Sequence, residues 1–203
     1  DIIIGKGPSA RTIQLDLPPF TLIAATTRVA LVSSPLRSRF SGGVFRLEFY
    51  SNEEIEKIVQ RSSKLLKASL EIGALQEIAK RSRATPRTAN YFLKRCRDFA
   101  QVNKKKLDKE TVKDALNMLA VDEIGLNTGD RKFLEILIEK FEGGPVGLKT
   151  LGAALSEEEA TLEEVLEPYL IQLGLLERTA RGRVATKKAY EHLGFNSTNK
   201  KQD

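Results

Sequence analysis

The segment ERTARGRVATKKAYEHLG, residues 177–194, decides the architecture of the C-terminal part of this chain. It predicts a strand, a tight basic turn and a second strand. Five basic residues lie within eleven positions: Arg178, Arg181, Arg183, Lys187 and Lys188. A basic hairpin of this kind suits the phosphate oxygens of a duplex, and a solvated charged surface is the alternative interpretation.

Three helical patterns precede this hairpin. They are DRKFLEILIEKFEGG (130–144), LKTLGAALS (148–156) and ATLEEVLEPYLIQLGLL (160–176), the last predicted to begin at Thr161. Three helices followed by a two-stranded wing are the order of a winged helix-turn-helix. The third helix carries Glu163, Glu164 and Glu167, and these carboxylates would repel a DNA backbone. The pattern therefore predicts DNA contact through the wing, largely independent of sequence.

Residues 51–119 have the pattern of a small helical bundle. A Ser/Asn cap with acids in the first turn opens the first helix at Ser51, and Asp108 resembles a cap for the fourth. The second and third helices are EIGALQEIAKRS (71–82) and PRTANYFLKRCRDFAQV (86–102). The segment AVDEIGLNTGD, residues 120–130, is predicted to be a polar hinge between the bundle and the winged helix.

The first fifty residues have strand patterns. DIIIGKGPSARTIQLDL, residues 1–17, predicts a hairpin, and strands are expected at 21–25 and 44–50. Thr27 would follow the end of a buried strand, where ligands bind in open α/β sheets. It would then orient a water or a phosphate oxygen, and a simple strand-end turn is the alternative.

Composition excludes several classes of function. The chain has 203 residues, a formal net charge of +6, one cysteine and one histidine. A structural zinc site needs about four Cys or His ligands, and His192 alone, near a polar tail, is a poor basis for a catalytic triad. Cys96 is expected to be a small core residue in a reducing cytosol. The sequence shows no signal peptide and no apolar run long enough to cross a membrane.

Two arginine-rich segments suggest an anion. SSPLRSRF, residues 33–40, places Arg37 and Arg39 where their guanidinium donors would suit phosphate oxygens. The nearest approach to a phosphate loop, GGPVGLKT (143–150), fails because Leu148 separates the glycine from the lysine. Arg83 lies in a loop, and Arg87 lies at a helix N-terminus, where a positive charge is unfavourable unless an anion holds it. A solvent-exposed arginine is the alternative for Arg87.

Together these segments resemble the RuvB family of AAA+ ATPases, the hexameric motors of bacterial Holliday junction branch migration. The resemblance rests on the opening 28 residues and on SSPLRSRF, LEFY, RSRATPRTAN, GGPVGL, EPYLIQLGLLERTARGR and VATKKAYEHLG, in that order. It implies a mixed α/β and α fold. The expected parts are the end of the ATPase domain (1–50) with its hairpin (about 1–17), a helical lid (51–120), a winged-helix DNA-binding domain (121–195) and a disordered tail (196–203).

The resemblance also implies roles for individual residues. Thr27 matches the sensor of the γ-phosphate, Arg39 the arginine finger that reaches the ATP of a neighbouring subunit, and Arg87 the second sensor. Arg37 is a further candidate for nucleotide contact. Ile13 and Leu15 match the apolar hairpin residues that dock on RuvA. The five basic residues of the hairpin at 177–194 are the candidate DNA contacts.

The implied cofactors are ATP or ADP and Mg²⁺, whose phosphate-loop and metal ligands are expected upstream of Asp1, so that this chain alone would be inactive. The implied partners are RuvA, other RuvB subunits in a hexameric ring, duplex DNA at Holliday junctions and RuvC, in the bacterial cytoplasm.

Two alternative interpretations of the chain remain: a winged-helix regulator making base-specific contacts, and a clamp-loader-type subunit with a helical collar. The departures from the family are Ala24 and Ala84 in place of Gly, Ala180 in place of Pro, and one extra residue in FSGGVF (40–45).

Overall fold

The structure is a computed structural model that describes residues 2–4, 11–13, 16 and 18–195. The chain divides into two compact units, residues 1–47 and residues 48–203. The hairpin turn, Leu15 and the tail at 196–203 lie outside the described residues.

The described residues of the first unit form one small sheet. Strand β1 (Ile2–Ile4) pairs antiparallel with β2 (Arg11–Ile13), with Ile3 opposite Thr12. These two strands confirm the predicted hairpin. A single 3₁₀ turn (Val29–Leu31) and the short helix α1 (Ser34–Arg37) follow.

The strands predicted at 21–25 and 44–50 do not form, and that expectation was wrong. Both segments have no regular structure and are exposed, with Ile23 at 89% and Phe45 at 84%. A strand is stable only when its backbone hydrogen bonds to a neighbour, and no described residue of the first unit offers these segments a ladder. The extra residue in FSGGVF falls in a turn, where Gly43 adopts φ +107° and its N–H donates to the Phe40 carbonyl at 3.4 Å.

Four helices form the predicted bundle: α2 (Asn52–Leu65), α3 (Ile72–Arg81), α4 (Pro86–Val102) and α5 (Lys109–Met118). The expected caps are present. Ser51 accepts a hydrogen bond from the Glu54 N–H at 3.2 Å while Glu54 accepts one from the Ser51 N–H at 2.8 Å. Asp108 accepts from the Thr111 N–H at 2.8 Å. Each cap satisfies amide groups that have no partner within the helix, which fixes where the helix begins.

The apolar faces of these four helices enclose one core, in which Ile55, Ile78, Leu93 and Leu116 are fully buried. Cys96 is also fully buried, as expected, and burial raises the pKa of its thiol to about 12. Such a thiol is protonated and unreactive at neutral pH.

The remaining helices and strands form a winged helix, as predicted from their order. They are α6 (Thr128–Phe141), α7 (Leu148–Leu155), α8 (Glu159–Thr161), a π-helical turn (Leu162–Leu166), α9 (Glu167–Gln172), β3 (Leu176–Thr179), β4 (Gly182–Ala185) and α10 (Lys187–Leu193). Strands β3 and β4 pair antiparallel, with Arg178 opposite Arg183. Val146 joins the edge of β4 through two hydrogen bonds with Arg183, at 2.8 and 3.1 Å.

The hydrogen-bond pattern of the third helix of this domain changes in its middle, at the π-helical turn. The Glu167 N–H donates to the Leu162 carbonyl, five residues back, instead of the usual four. Pro168, which follows, has no N–H and its ring would clash in a regular helix interior. The wide turn places Pro168 near the start of the regular helix α9, where proline is tolerated.

The turn between α3 and α4 contains two successive residues in the left-handed region, Arg83 (φ +58°) and Ala84 (φ +52°). A side chain at such a φ crowds its own backbone, and glycine avoids this cost. Replacing Ala84 by Gly is therefore expected to raise the free energy of unfolding by roughly 0.5–1 kcal/mol. Urea unfolding followed by circular dichroism measures this difference.

The matched control is Ala153→Gly, the same substitution at an exposed position inside α7. It should lower the free energy of unfolding by about 1 kcal/mol, since glycine is unfavourable in a helix interior. Destabilisation by both substitutions would show that the left-handed turn carries no strain at Ala84.

Candidate nucleic-acid and nucleotide contacts

The side chain of Glu167 holds two of the predicted DNA-contacting arginines. Its carboxylate oxygens lie 2.7 and 3.3 Å from Arg183 Nε and Nη2, and 2.6 Å from Arg178 Nη2. Glu167 is completely buried and the Arg183 side chain is only 14% exposed. A buried carboxylate is tolerated when charged, hydrogen-bonded partners surround it. The pair therefore fixes the wing strands to helix α9.

Arg178 is less enclosed than Arg183. Its side chain is 46% exposed, and its Nη1 also lies 3.2 Å from the half-exposed Glu163 carboxylate. The hydrogen bond to Glu167 raises the pKa of Arg178 above its usual value. Arg178 can reach a phosphate oxygen only by competing with two carboxylates.

Arg181 lies at the tip of the wing, in the turn between β3 and β4, and is exposed. The turn is held by the Thr179 hydroxyl, which donates to the Gly182 carbonyl at 2.8 Å and accepts from the Arg181 N–H at 3.3 Å. Within the described part of the chain, the Arg181 guanidinium has no ion pair. It is the basic candidate that lies exposed at the tip of the wing.

Lys187 and Lys188 do not lie on the wing, contrary to the expectation of a strand there. They begin helix α10, because the Thr186 hydroxyl accepts from the Ala189 N–H at 3.3 Å and caps a new helix. Lys188 Nζ donates to the Leu173 carbonyl at 2.7 Å, at the C-terminal end of α9. Lys187 is exposed and lies 3.5 Å from Glu191.

The segment at 157–164, which leads into the third helix of the winged helix, exposes a group of carboxylates. They are Glu157, Glu158, Glu159, Glu163 and Glu164. An anionic backbone is repelled from this face and attracted to the wing tip, so the geometry favours contact through the wing.

Three candidate nucleotide contacts lie in the first unit, and all three are exposed. Arg37 ends helix α1, and Arg39 lies in the following turn, where its N–H donates to the Leu36 carbonyl at 3.1 Å. The Ser38 hydroxyl donates to the Pro35 carbonyl at 3.0 Å and stabilises the same turn. Thr27 lies in a bend and not at the end of a formed strand.

Arg87 and Arg83 have different surroundings, although they are four residues apart. Arg87 is the second residue of α4, exposed, in a first turn that contains no acid. Arg83 lies 3.2 and 3.4 Å from the two oxygens of Asp130, and its guanidinium carbon lies 4.4 Å from the centroid of the Tyr169 ring. The loop arginine thus joins the bundle to the winged helix, and the sequence analysis missed this contact.

The segment predicted to be a hinge is a hydrogen-bonded turn. The Asp122 carboxylate accepts from the Ile124 and Leu126 N–H groups at 3.1 and 2.8 Å. Its second oxygen lies 2.9 Å from His192 Nε2. Arg131 donates to the Ala120 carbonyl at 3.0 Å. His192 therefore contacts this turn.

The described residues contain neither a metal-binding group nor a membrane span. Among the described residues, no three His, Cys, Asp or Glu side chains are clustered so as to hold a metal ion. No helix in that same part of the chain is long and apolar enough to cross a membrane.

The buried position of Glu167 predicts a large loss of stability on neutralising it. Glu167→Gln removes the charge that compensates Arg183 and Arg178, and should lower the free energy of unfolding by about 2–4 kcal/mol. Glu163→Gln is the matched control, because the half-exposed pair with Arg178 should contribute under about 1 kcal/mol. Chemical denaturation of both variants measures the two values, and equal losses would contradict the special role of Glu167.

Three RuvB family profiles match consecutive parts of the chain. They are the RuvB P-loop domain at residues 1–47, the RuvB AAA lid domain at 50–122 and the RuvB C-terminal winged helix domain at 123–194. The RuvB subunit of the Holliday junction branch migration complex of Koribacter versatilis is 55% identical over the whole chain. The chain spans 56% of that relative's length.

Solved structures agree with these matches. A mutant of Thermotoga maritima RuvB superposes with a TM-score of 0.83 at 47% identity, over 91% of this chain and 62% of that one. The Thermotoga maritima RuvB Holliday junction branch migration motor gives 0.82 at 48% identity, over 88% and 60%. These matches favour neither the regulator nor the clamp-loader alternative. Since the lid and winged-helix profiles follow the P-loop profile in order and almost without a gap, the chain belongs to the RuvB family.

Proposed function

We propose that the intact protein is an ATP-driven motor subunit that promotes branch migration of Holliday junctions. The observation that carries this proposal is a RuvB-type lid and a winged helix with a cationic wing tip in one compact unit. A nucleotide-responsive lid joined to a DNA-binding domain is suited to converting ATP hydrolysis into movement on DNA. A simple regulator would have no use for such a lid.

Four residues are the proposed nucleotide contacts: Arg39, Arg37, Arg87 and Thr27. Arg39, on an exposed turn, would reach the γ-phosphate of ATP bound to a neighbouring subunit, with Arg37 as a second candidate. Arg87 at the start of α4 and Thr27 would act as sensors of the nucleotide bound to their own subunit. The phosphate loop and the Mg²⁺ ligands would belong to the part of the relatives' length that this chain does not span.

The assembly would be a homohexameric ring that works with RuvA, with RuvC and with duplex DNA in the bacterial cytoplasm. Ile13, which is 44% exposed, supports the proposal that the hairpin docks on RuvA. Its companion Leu15 lies outside the described residues. The division into an ATPase part (1–50), a lid (51–120) and a winged helix (121–195) belongs to the same proposal.

The trans role of Arg39 makes a testable prediction for the full-length protein. Arg39→Ala should leave ATP affinity nearly unchanged, since the contact strengthens mainly as charge develops on the transferring phosphoryl group. Hydrolysis should fall by roughly 10³–10⁵-fold, as for other arginine fingers. ATP binding is measured by calorimetry and hydrolysis by phosphate release.

Mixed rings decide whether Arg39 acts across the subunit interface. Arg39→Ala protein is combined with a variant lacking the phosphate-loop lysine, each being inactive alone. Some interfaces then pair an intact finger with an intact nucleotide site, so part of the ATPase activity should return. If mixed hexamers form and no activity returns, Arg39 does not act in trans and Arg37 becomes the better candidate.

The exposed wing tip predicts backbone contact without sequence preference. Arg181→Ala should weaken duplex binding by the same factor for unrelated sequences and reduce the salt slope by about one. Fluorescence anisotropy over a range of salt concentrations measures both quantities. Lys113→Ala, in the lid, is the control and should change neither the affinity nor the slope.

Arg183→Ala tests the structural role of a wing arginine, in comparison with Arg181→Ala, which tests a phosphate contact. It leaves the buried Glu167 with one partner fewer and should lower stability as well as DNA affinity. A change in affinity for one duplex sequence only, in Arg181→Ala, would contradict the backbone interpretation.

A further inference from the structure

The contact of Arg83 crosses between two separately packed cores. Arg83 belongs to the turn that follows α3 in the lid, whereas Asp130 and Tyr169 belong to the winged helix. The lid core and the winged-helix core share no buried apolar residue. Polar contacts such as that of Arg83 with Asp130 therefore contribute to the orientation of these two domains.

Asp130 is an unusual acceptor because its side chain is completely buried. It also closes the capping box of α6, accepting from the Asn127 N–H at 2.8 Å. Burial raises the pKa of Asp130, and the nearby Arg83 charge opposes that shift. A guanidinium at 3.2 and 3.4 Å from its two oxygens supplies the counter-charge that a buried carboxylate requires.

Tyr169 fixes the direction of the Arg83 guanidinium. The ring lies 4.4 Å below the guanidinium carbon, and its hydroxyl donates to the Ile124 carbonyl at 2.6 Å. A planar guanidinium can both stack on a ring and bind a carboxylate through two donors, which an ammonium cannot do. The contact thereby fixes the turn between α3 and α4 relative to helix α9.

Helix α9 carries Glu167 two residues before Tyr169, and Glu167 holds Arg183 and Arg178 of the wing. At the other end, Arg83 is four residues before Arg87 at the start of α4. The path from the first turn of α4 to the wing therefore follows the backbone from Arg87 to Arg83, the contact of Arg83 with Tyr169, and helix α9 as far as Glu167.

We propose that Arg83 is a positioning residue that holds the wing in a fixed orientation relative to Arg87. A shift of the lid on nucleotide exchange is then passed to the wing, and DNA on the wing alters the geometry of the nucleotide site. The transmission of changes between nucleotide and DNA rests on the proposed function. The fixed orientation of the wing relative to Arg87 concerns this chain alone. Arg83 touches neither nucleotide nor DNA in this role and acts through Arg87 and α9.

The first experiment measures interdomain order in the 203-residue chain. Spin labels are attached at Glu110→Cys in the lid and Lys149→Cys in the winged helix, both exposed helix positions. Cys96 is retained, because its buried thiol, with a pKa raised to about 12, will not be labelled. Electron–electron double resonance then reports the distribution of distances between the two labels.

Arg83→Met should broaden this distance distribution at least about two-fold, because it removes the charge and the planar stack while retaining an aliphatic side chain. Arg83→Lys retains the charge and should give an intermediate width. It also keeps the proposal testable if Arg83→Met does not fold. Lys105→Met breaks an exposed pair with Asp114 inside the lid and should leave the width unchanged. An unchanged width in both folded Arg83 variants overturns the proposal.

The second experiment measures coupling in the full-length protein. Arg83→Met should leave ATP hydrolysis without DNA within about two-fold of the parent and reduce its stimulation by DNA at least about five-fold, a typical coupling between distant sites. Full DNA stimulation in Arg83→Met overturns the transmission of changes to the wing. An inactive parent protein would instead contradict the proposed function, and the distance measurement would still judge the role of Arg83.

Discussion

The buried carboxylate of Glu167 determines where the positive charge of the wing can act. Its two oxygens accept hydrogen bonds from Nε and Nη2 of Arg183 and from Nη2 of Arg178, so the wing strands are fixed to helix α9. The remaining cation of the turn, Arg181, is presented to solvent by the same geometry. Removing the carboxylate would therefore alter the position of the wing as well as its charge.

The position of Glu167 depends on a local feature of the helix. Pro168 cannot donate a backbone hydrogen bond, and the π-helical turn before it lets the Glu167 N–H reach Leu162. One extra residue in that turn rotates the following residues relative to a regular helix. Glu167 and Tyr169 are then both buried, and they contact the wing and the lid turn respectively.

The helices and their caps could be predicted from sequence because their signals are local. Ser51 with Glu54 and Asp108 with Thr111 lie three residues apart, and Cys96 follows the apolar period of its own helix. The strands at 21–25 and 44–50 were predicted wrongly from equally apolar patterns. A strand also needs a partner along its edge, and a pattern within one segment contains no information about that partner.

The residues missed by sequence reasoning all act over long distances in the chain. Arg83 and Asp130 are 47 positions apart, and His192 and Asp122 are 70 apart. A local signal existed only for Asp130, whose spacing from Asn127 is that of a capping box, and that signal predicts a helix start and not an interdomain contact. Basic residues were likewise grouped by sequence, although Lys188 binds the end of α9 and only Arg181 stands at the wing tip.

The distribution of charge is consistent with movement along DNA. A helix inserted in the major groove would read bases, and each specific contact would discriminate by about 1–3 kcal/mol. A motor that steps along a duplex would have to break such contacts at every favourable sequence, and its rate would then vary along the DNA. The acidic face of Glu157, Glu158, Glu159 and Glu163 opposes insertion of the helix, and the wing tip offers a guanidinium to the phosphates that every sequence shares. Weak, uniform contact at the wing would suit the translocating subunit that we propose.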